Sequence, residues 1–135
     1  MKTKFIYSNL VVLSVIVFIS LSLFQSLAGP HGGTVRKAAN FNIEMKNSYG
    51  GFYTYLLDSK LKPVKNKDIT CRVKVFFADK TSIHMQLIPC GIDGFTAESM
   101  PPLFSSCIII FHVADSNISA EFDNDLLFVK QKQRK

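Results

Sequence analysis

Hydrophobic and polar positions alternate along much of the chain after residue 40, which is the pattern of half-buried strands. The period of two runs through residues 41–46 and returns over 69–77 and 82–87. Residues 52–57 are aromatic and rich in strand-forming side chains, whereas 106–113 are apolar on both faces, as expected of a central strand covered on each side. The pattern therefore predicts strands throughout this part of the chain. No segment of it shows a sustained helical period.

Two further short strands are predicted at Phe95–Glu98 and Ile118–Phe122, with a loop over Pro89–Gly94. About seven short strands with turn residues between them are typical of a β-sandwich. We expect an all-β fold, a single immunoglobulin-like β-sandwich over residues 29–125. The pattern leaves two alternatives for residues 126–135, an edge strand or a frayed tail.

The first 28 residues have the three parts of a secretory signal peptide. Lys2 and Lys4 precede an apolar stretch over Leu10–Phe24, and Ser26 and Ala28 supply the small residues of a cleavage site. The alternative is an uncleaved membrane anchor, because roughly 20 apolar residues can span a bilayer. Either way the sequence predicts export, with a periplasmic or secreted domain after cleavage near Ala28.

The net charge of +6 comes from the two ends of the chain. Without residues 1–28 and 130–135, ten basic and ten acidic residues remain. A neutral domain lacks the clustered positive charge that phosphate binding requires, so no nucleic-acid partner is expected. The basic tail, whose four charges are Lys130, Lys132, Arg134 and Lys135, is expected to be solvated, with weak contact to a membrane surface as the alternative.

Three cysteines, Cys71, Cys90 and Cys107, allow at most one disulfide within the chain. Disulfides persist in an oxidising compartment, so one bridge and one thiol are an option. The other option is that they serve as small buried hydrophobic residues. Their spacing matches no zinc-finger pattern.

Several short motifs resemble a known pattern when they are taken in order. The chain has His-Gly-Gly at 31–33, an aromatic-x-Ile-Glu strand at 41–45 and Tyr-Leu-x-Asp at 55–58, and further matching pieces follow at 77–81, 94–97 and 120–122. The pattern resembles small exported periplasmic proteins of the Bacteroidetes type with an N-terminal His-Gly-Gly motif. It also resembles a module in the periplasmic adaptor subunits of heavy-metal efflux pumps.

This resemblance implies a sandwich-like periplasmic domain associated with metal efflux or tolerance, with metal-efflux adaptor or pump components as partners. The adaptors also carry a long helical hairpin and lipoyl-like halves, which do not fit in this chain. The chain is therefore expected to correspond to the module alone.

His31 is the leading candidate metal ligand, with copper as the candidate ion. After cleavage at Ala28 it would be the third residue of the mature chain, but Pro30 has no N–H to lose, so a complete amino-terminal Cu(II) site cannot form. An amine-plus-imidazole site remains, since imidazole is a common metal ligand. The alternative is that His31-Gly32-Gly33 is a flexible entry to the first strand.

His84 and Met100 are the other candidate ligands. His84 lies on the polar face of its strand, where a solvated histidine is the alternative, and Met100 in a loop could be a soft ligand for Cu(I). His112, on an apolar strand face, is expected to be structural. No motif with established metal-ligand spacing occurs.

No catalytic motif is found, and Glu44 and Glu121 on polar strand faces are expected to be solvated. We therefore expect a protein that is not an enzyme. The leading hypothesis is a non-enzymatic periplasmic β-sandwich protein that binds or helps handle a transition metal. The competing hypothesis is an exported immunoglobulin-like protein-interaction module with no metal.

Overall fold

The structure is a computed structural model that describes residues 28–48, 51–101 and 103–124. The predicted signal peptide, apart from Ala28, and the basic tail lie outside the described residues. Strands and turns make up the described part of the chain, and no helix in it is long and apolar enough to cross a membrane.

Within the residues that the structure describes, nine strands form two antiparallel sheets, which confirms the prediction of an all-β sandwich. They are β1 (Thr34–Ala38), β2 (Phe41–Ser48), β3 (Gly51–Leu57), β4 (Ile69–Phe76), β5 (Ser82–Gln86), β6 (Ile88–Cys90), β7 (Gly94–Thr96), β8 (Ser106–Val113) and β9 (Ser116–Asp123). Two of them exceed the seven that the alternation predicts. β1 has two consecutive charged residues that hide its period, and β6 lies in the segment that was expected to be a loop.

The first sheet has the order β1-β2-β3-β7-β6 and the second the order β5-β4-β8-β9. β5 and β6 follow each other along the chain with only Leu87 between them. At this residue the chain passes from the second sheet to the first. The Leu87 N–H still donates to the Cys71 carbonyl in β4 at 2.9 Å, and the next residue already pairs with β7. The two sheets are therefore joined along this side by one chain segment, while β1 lies against β9 on the opposite side.

The core lies between the two sheets and follows from the alternation. Inward-facing residues of β2 and β3 meet those of β4, β8 and β9, and Phe95 packs edge-on against Phe111 with ring centroids 5.6 Å apart. Apolar burial of this kind is the main favourable term in folding. The alternation over residues 82–87 predicts that Ile83 points inward, and this is only partly correct, because Ile83 is 39% exposed on the edge strand β5.

The three cysteines are unpaired, and their positions differ. Cys71 and Cys107 lie in the core on β4 and β8, whereas Cys90 is exposed on β6. Cys71 lies opposite Phe111, and Cys107 lies opposite Val75, so the two buried thiols are out of register. Burial raises the pKa of the Cys71 thiol well above its ordinary value, and burial with the nearby charges of Glu121 and Asp123 raises that of Cys107 to about 12.

We predict that one thiol per folded chain reacts with a thiol reagent at pH 8 and that three react in denaturant. The thiolate is the reactive form of cysteine. The pKa of each buried thiol is raised, so Cys71 and Cys107 stay protonated at this pH. A spectrophotometric thiol assay measures both counts, and Cys90→Ser is the control that removes the fast reaction. Rapid reaction of two or three thiols in the folded protein would contradict the packing.

Candidate functional site

A short loop, residues 29–33, folds over the outer face of the first sheet before β1 begins. The chain on either side of it is held by a bridge between Ala28 and Thr34. Within the loop the Gly32 N–H donates to the Gly29 carbonyl at 3.0 Å, which closes a four-residue turn. Pro30 at the second position favours this turn, and Gly32 takes a φ of 81°, which glycine adopts at little cost. The turn places the His31 side chain over the sheet.

Glu44, in the middle of β2, lies beneath this loop and is completely buried. Its Oε1 accepts the backbone N–H groups of His31 and Gly33, each at 2.9 Å, and its Oε2 lies 2.8 Å from Nδ1 of His31. The expectation that Glu44 is solvated is therefore wrong. The alternation correctly assigns Glu44 to the outer face of the sheet, but the loop covers that face at this point.

The His31 ring is held on both edges and on one face. Nδ1 contacts Glu44, and Nε2 lies 3.1 Å from Oδ2 of Asp93, which precedes β7. The ring stacks on Tyr55 of β3, with centroids 3.6 Å apart and an interplanar angle of 4°. A carboxylate can only accept, so both edge contacts are hydrogen bonds when each ring nitrogen carries a proton. We call His31, Glu44, Tyr55 and Asp93 the His31 cluster.

Three glycines allow the cluster to close. A Cβ on Gly29 would collide with the Glu44 carboxylate, and one on Gly33 would lie 2.5 Å from the Met45 carbonyl oxygen. A Cβ on Gly94 would lie 2.8 Å from the Tyr55 ring. The absence of these side chains lets the loop reach the sheet and lets the tyrosine ring lie flat over β7.

The pairing register explains why these residues meet. Val35, Glu44, Tyr55, Gly94 and Cys90 are successive partners across β1, β2, β3, β7 and β6. Partners in register share a face of the sheet, so they form one row across it. The Cys90 thiol therefore occupies the same face as Tyr55, with the side-chain-free Gly94 between them.

Tyr55 is kept as a neutral phenol. Burial raises the pKa of its hydroxyl above the ordinary value of 10.0, and the negative charges of Asp93 and Glu44 raise it further. A phenolate is therefore disfavoured at neutral pH, and the ring acts as a flat apolar support for the imidazole. Stacking on the Tyr55 ring also fixes the plane of the His31 imidazole, and with it the directions in which the two ring nitrogens point.

The other candidate ligands lie elsewhere. His84 is exposed on β5, at the edge of the second sheet and opposite Lys74. Met100 packs partly buried against the core, and His112 is exposed with its Nδ1 2.9 Å from Oδ1 of Asn117. The recorded partners of the His31 ring are Glu44, Asp93 and Tyr55, and neither His84 nor Met100 is among them. In the part of the chain that the structure describes, no group of three or more His, Cys, Asp and Glu side chains is arranged to hold a metal ion.

Of the His31 cluster, His31 itself was predicted as a candidate site residue, whereas its two carboxylate partners were not. The sequence marks Glu44 only as the acidic residue of the aromatic-x-Ile-Glu segment that follows His-Gly-Gly. Asp93 carries no such mark, because it lies 62 residues from His31 and reaches it only through the pairing of β3 with β7.

No protein-family model matches the chain, and neither a curated protein nor a solved structure shows a significant similarity to it.

We predict that Glu44→Gln lowers the free energy of unfolding by about 2–4 kcal/mol, because the amide replaces a buried, charge-paired acceptor. The matched control is Glu121→Gln, since Glu121 is an exposed glutamate on the neighbouring sheet. Urea unfolding followed by tyrosine fluorescence measures both. Equal, small effects of the two variants would show that the loop does not depend on the Glu44 charge.

Proposed function

We propose that the protein is a non-enzymatic, exported β-sandwich protein that binds a transition metal ion at His31. The observation that carries the proposal is the orientation of the imidazole by a buried carboxylate. Glu44 accepts from Nδ1 at 2.8 Å, which fixes the ring and directs Nε2 toward Asp93. Histidine ligands in metal sites are commonly oriented in this way through the nitrogen that does not bind the metal.

Nε2 of His31 and the Asp93 carboxylate are the two donors that this arrangement offers to a metal. They lie 3.1 Å apart and are both partly exposed, with 24% and 26% of their side chains accessible. Zinc binds nitrogen and carboxylate oxygen at about 2.0–2.2 Å, so one ion can touch both atoms once it displaces the proton between them. The rest of its coordination shell would be open to solvent or to a partner.

The donor types favour Cu(II) or Zn(II) over Cu(I). Imidazole and carboxylate suit these ions, whereas Cu(I) prefers sulfur ligands. Met100 packs against the core, and Cys71 and Cys107 are buried in it. An open two-donor site suits a protein that accepts and releases a metal, in keeping with the resemblance to metal-efflux modules.

We predict that the exported protein binds Cu(II) or Zn(II) and that His31→Ala and Asp93→Asn abolish the binding. His84→Ala is the matched control, because it removes an exposed histidine from the opposite sheet. Glu44→Gln should weaken binding by about 10–100-fold, as expected of the residue that orients a ligand. Isothermal titration measures the affinities. Absence of binding, or binding that His31→Ala leaves unchanged, would contradict the proposal.

A second function, recognition of a protein partner, is favoured by the edge strand β5. Its residues Ser82–Gln86 include no Lys, Arg, Asp, Glu or Pro, and four of the five are exposed. The other edges are better protected, since β6 contains Pro89 and β1 carries Arg36 and Lys37 and lies against β9. Uncharged edge strands accept an added strand from another protein, which natural proteins usually prevent with charge or proline.

We predict that a photo-cross-linking residue at position 84 forms a defined protein adduct in cells and that the same residue at position 112 does not. Both positions hold exposed histidines, one at the edge and one on the central strand β8. Ile83→Lys should abolish the adduct, because a charge at an edge strand blocks pairing. Electrophoresis after irradiation measures the adduct. Equal adducts at both positions, or none at position 84, would argue against this function.

A further inference from the structure

The hairpin between β8 and β9 carries a sequence motif that the proposed function does not use. Asn117-Ile118-Ser119 has the form Asn-x-Ser with x different from proline, and none of the other asparagines in the chain begins such a triplet. Asp115 stands two residues before Asn117, which completes the longer form acidic-x-Asn-x-Ser that bacterial oligosaccharyltransferases accept. In an exported protein this motif is an acceptor for N-linked sugar.

The structure presents the motif at the surface. Asn117 is the second residue of β9 and follows the tight turn at Ala114 and Asp115. Asn117 and Ser119 are both exposed, whereas Ile118 between them is buried in the core. Alternate residues of a strand share a face, so the amide and the hydroxyl of the motif project together from the outer face of the second sheet.

The side-chain contact of Asn117 is compatible with a sugar on the same residue. Oδ1 of Asn117 lies 2.9 Å from Nδ1 of His112, its cross-strand partner on β8. An amide oxygen only accepts, so the imidazole donates in this contact. An N-linked sugar is joined to the amide nitrogen instead, so the hydrogen bond and the strand pairing both persist after modification.

The surface beside Asn117 has room for the first sugar of such a chain. A shallow depression on the outer face of the second sheet is lined by Asn117 together with Thr70, Arg72, Gln86, Ile110 and His112. Arg72 and Gln86 are exposed and carry N–H donors for sugar hydroxyl groups, and the half-buried Ile110 offers an apolar surface to the sugar ring. The His31 cluster lies on the other sheet, so an oligosaccharide here leaves it uncovered.

We propose that Asn117 is the attachment site of an N-linked oligosaccharide, which an oligosaccharyltransferase adds from a lipid-diphosphate-linked donor. The amide nitrogen of Asn117 forms a bond to C1 of the first sugar and loses one proton. The bond between C1 and the diphosphate oxygen breaks, and the lipid diphosphate leaves with the electron pair. Because the backbone of Asn117 is paired with β8 in the folded chain, transfer takes place during export, before this hairpin closes.

This inference goes beyond the proposed function. It uses the predicted export of the chain but requires neither a metal at His31 nor a partner at β5. Loss of metal binding and loss of glycosylation are therefore measured separately, and either can fail without the other.

The test is export of the full-length chain in a bacterial host that carries an oligosaccharyltransferase and its lipid-linked donor. Intact-mass spectrometry of the exported chain should show a form heavier by one whole oligosaccharide, and peptide fragmentation should locate it on Asn117. Asn40, an exposed asparagine outside any such motif, is the internal control and should stay unmodified. An exported chain without the oligosaccharide, or with it on Asn40, would overturn the proposal.

Substitutions at Ser119 separate recognition of the motif from effects on folding. Ser119→Ala keeps the acceptor amide but removes the hydroxyl and should abolish glycosylation, whereas Ser119→Thr keeps a hydroxyl and should retain it. Asn117→Gln should also abolish it. Ser119 is exposed, so both of its variants should fold, which circular dichroism checks. Equal glycosylation of Ser119→Ala and the wild-type chain would overturn the proposal.

Discussion

The Glu44 carboxylate, wholly withdrawn from water on the outer face of a sheet, determines the arrangement around it. A buried carboxylate has to receive hydrogen bonds, and all three of its donors come from the loop of residues 29–33. The loop can supply them because it holds glycines where any side chain would strike the carboxylate or the neighbouring strand. The position of His31, its stacking on Tyr55 and its contact with Asp93 all follow from this arrangement.

The sandwich provides two sides with different properties. On one side β1 and β9 lie against each other, and on the other the chain passes directly from β5 to β6 and so from one sheet to the next. The His31 cluster crosses the outer face of the first sheet as far as Asp93 in the turn between β6 and β7, whereas the uncharged edge belongs to the second sheet. A metal at His31 and a protein strand at β5 would therefore occupy separate surfaces, so the two proposed functions are compatible.

Burial also decides which side chains would be accessible as ligands to a metal ion. Cys71 and Cys107 contribute to the core, and the raised pKa of each thiol keeps it neutral there. Met100 packs against the same core. The groups left near solvent at the His31 cluster are an imidazole and a carboxylate, so a metal bound there as proposed would meet donors that suit harder ions than Cu(I). The Cys90 thiol is exposed on the same face of the first sheet as Tyr55. Gly94, which has no side chain, lies between these two residues.

The alternation of apolar and polar residues was enough to predict the β-sandwich, because it decides which face of each strand is buried. Where that period is interrupted, as by Arg36 and Lys37 in β1 or Pro89 in β6, the strand was missed. The alternation also could not show that Glu44 is buried, because it places Glu44 on the outer face but carries no information about a loop that covers it. The His31 cluster exists only in the folded protein, since strand pairing brings Asp93 to His31 from a segment 62 residues away along the chain.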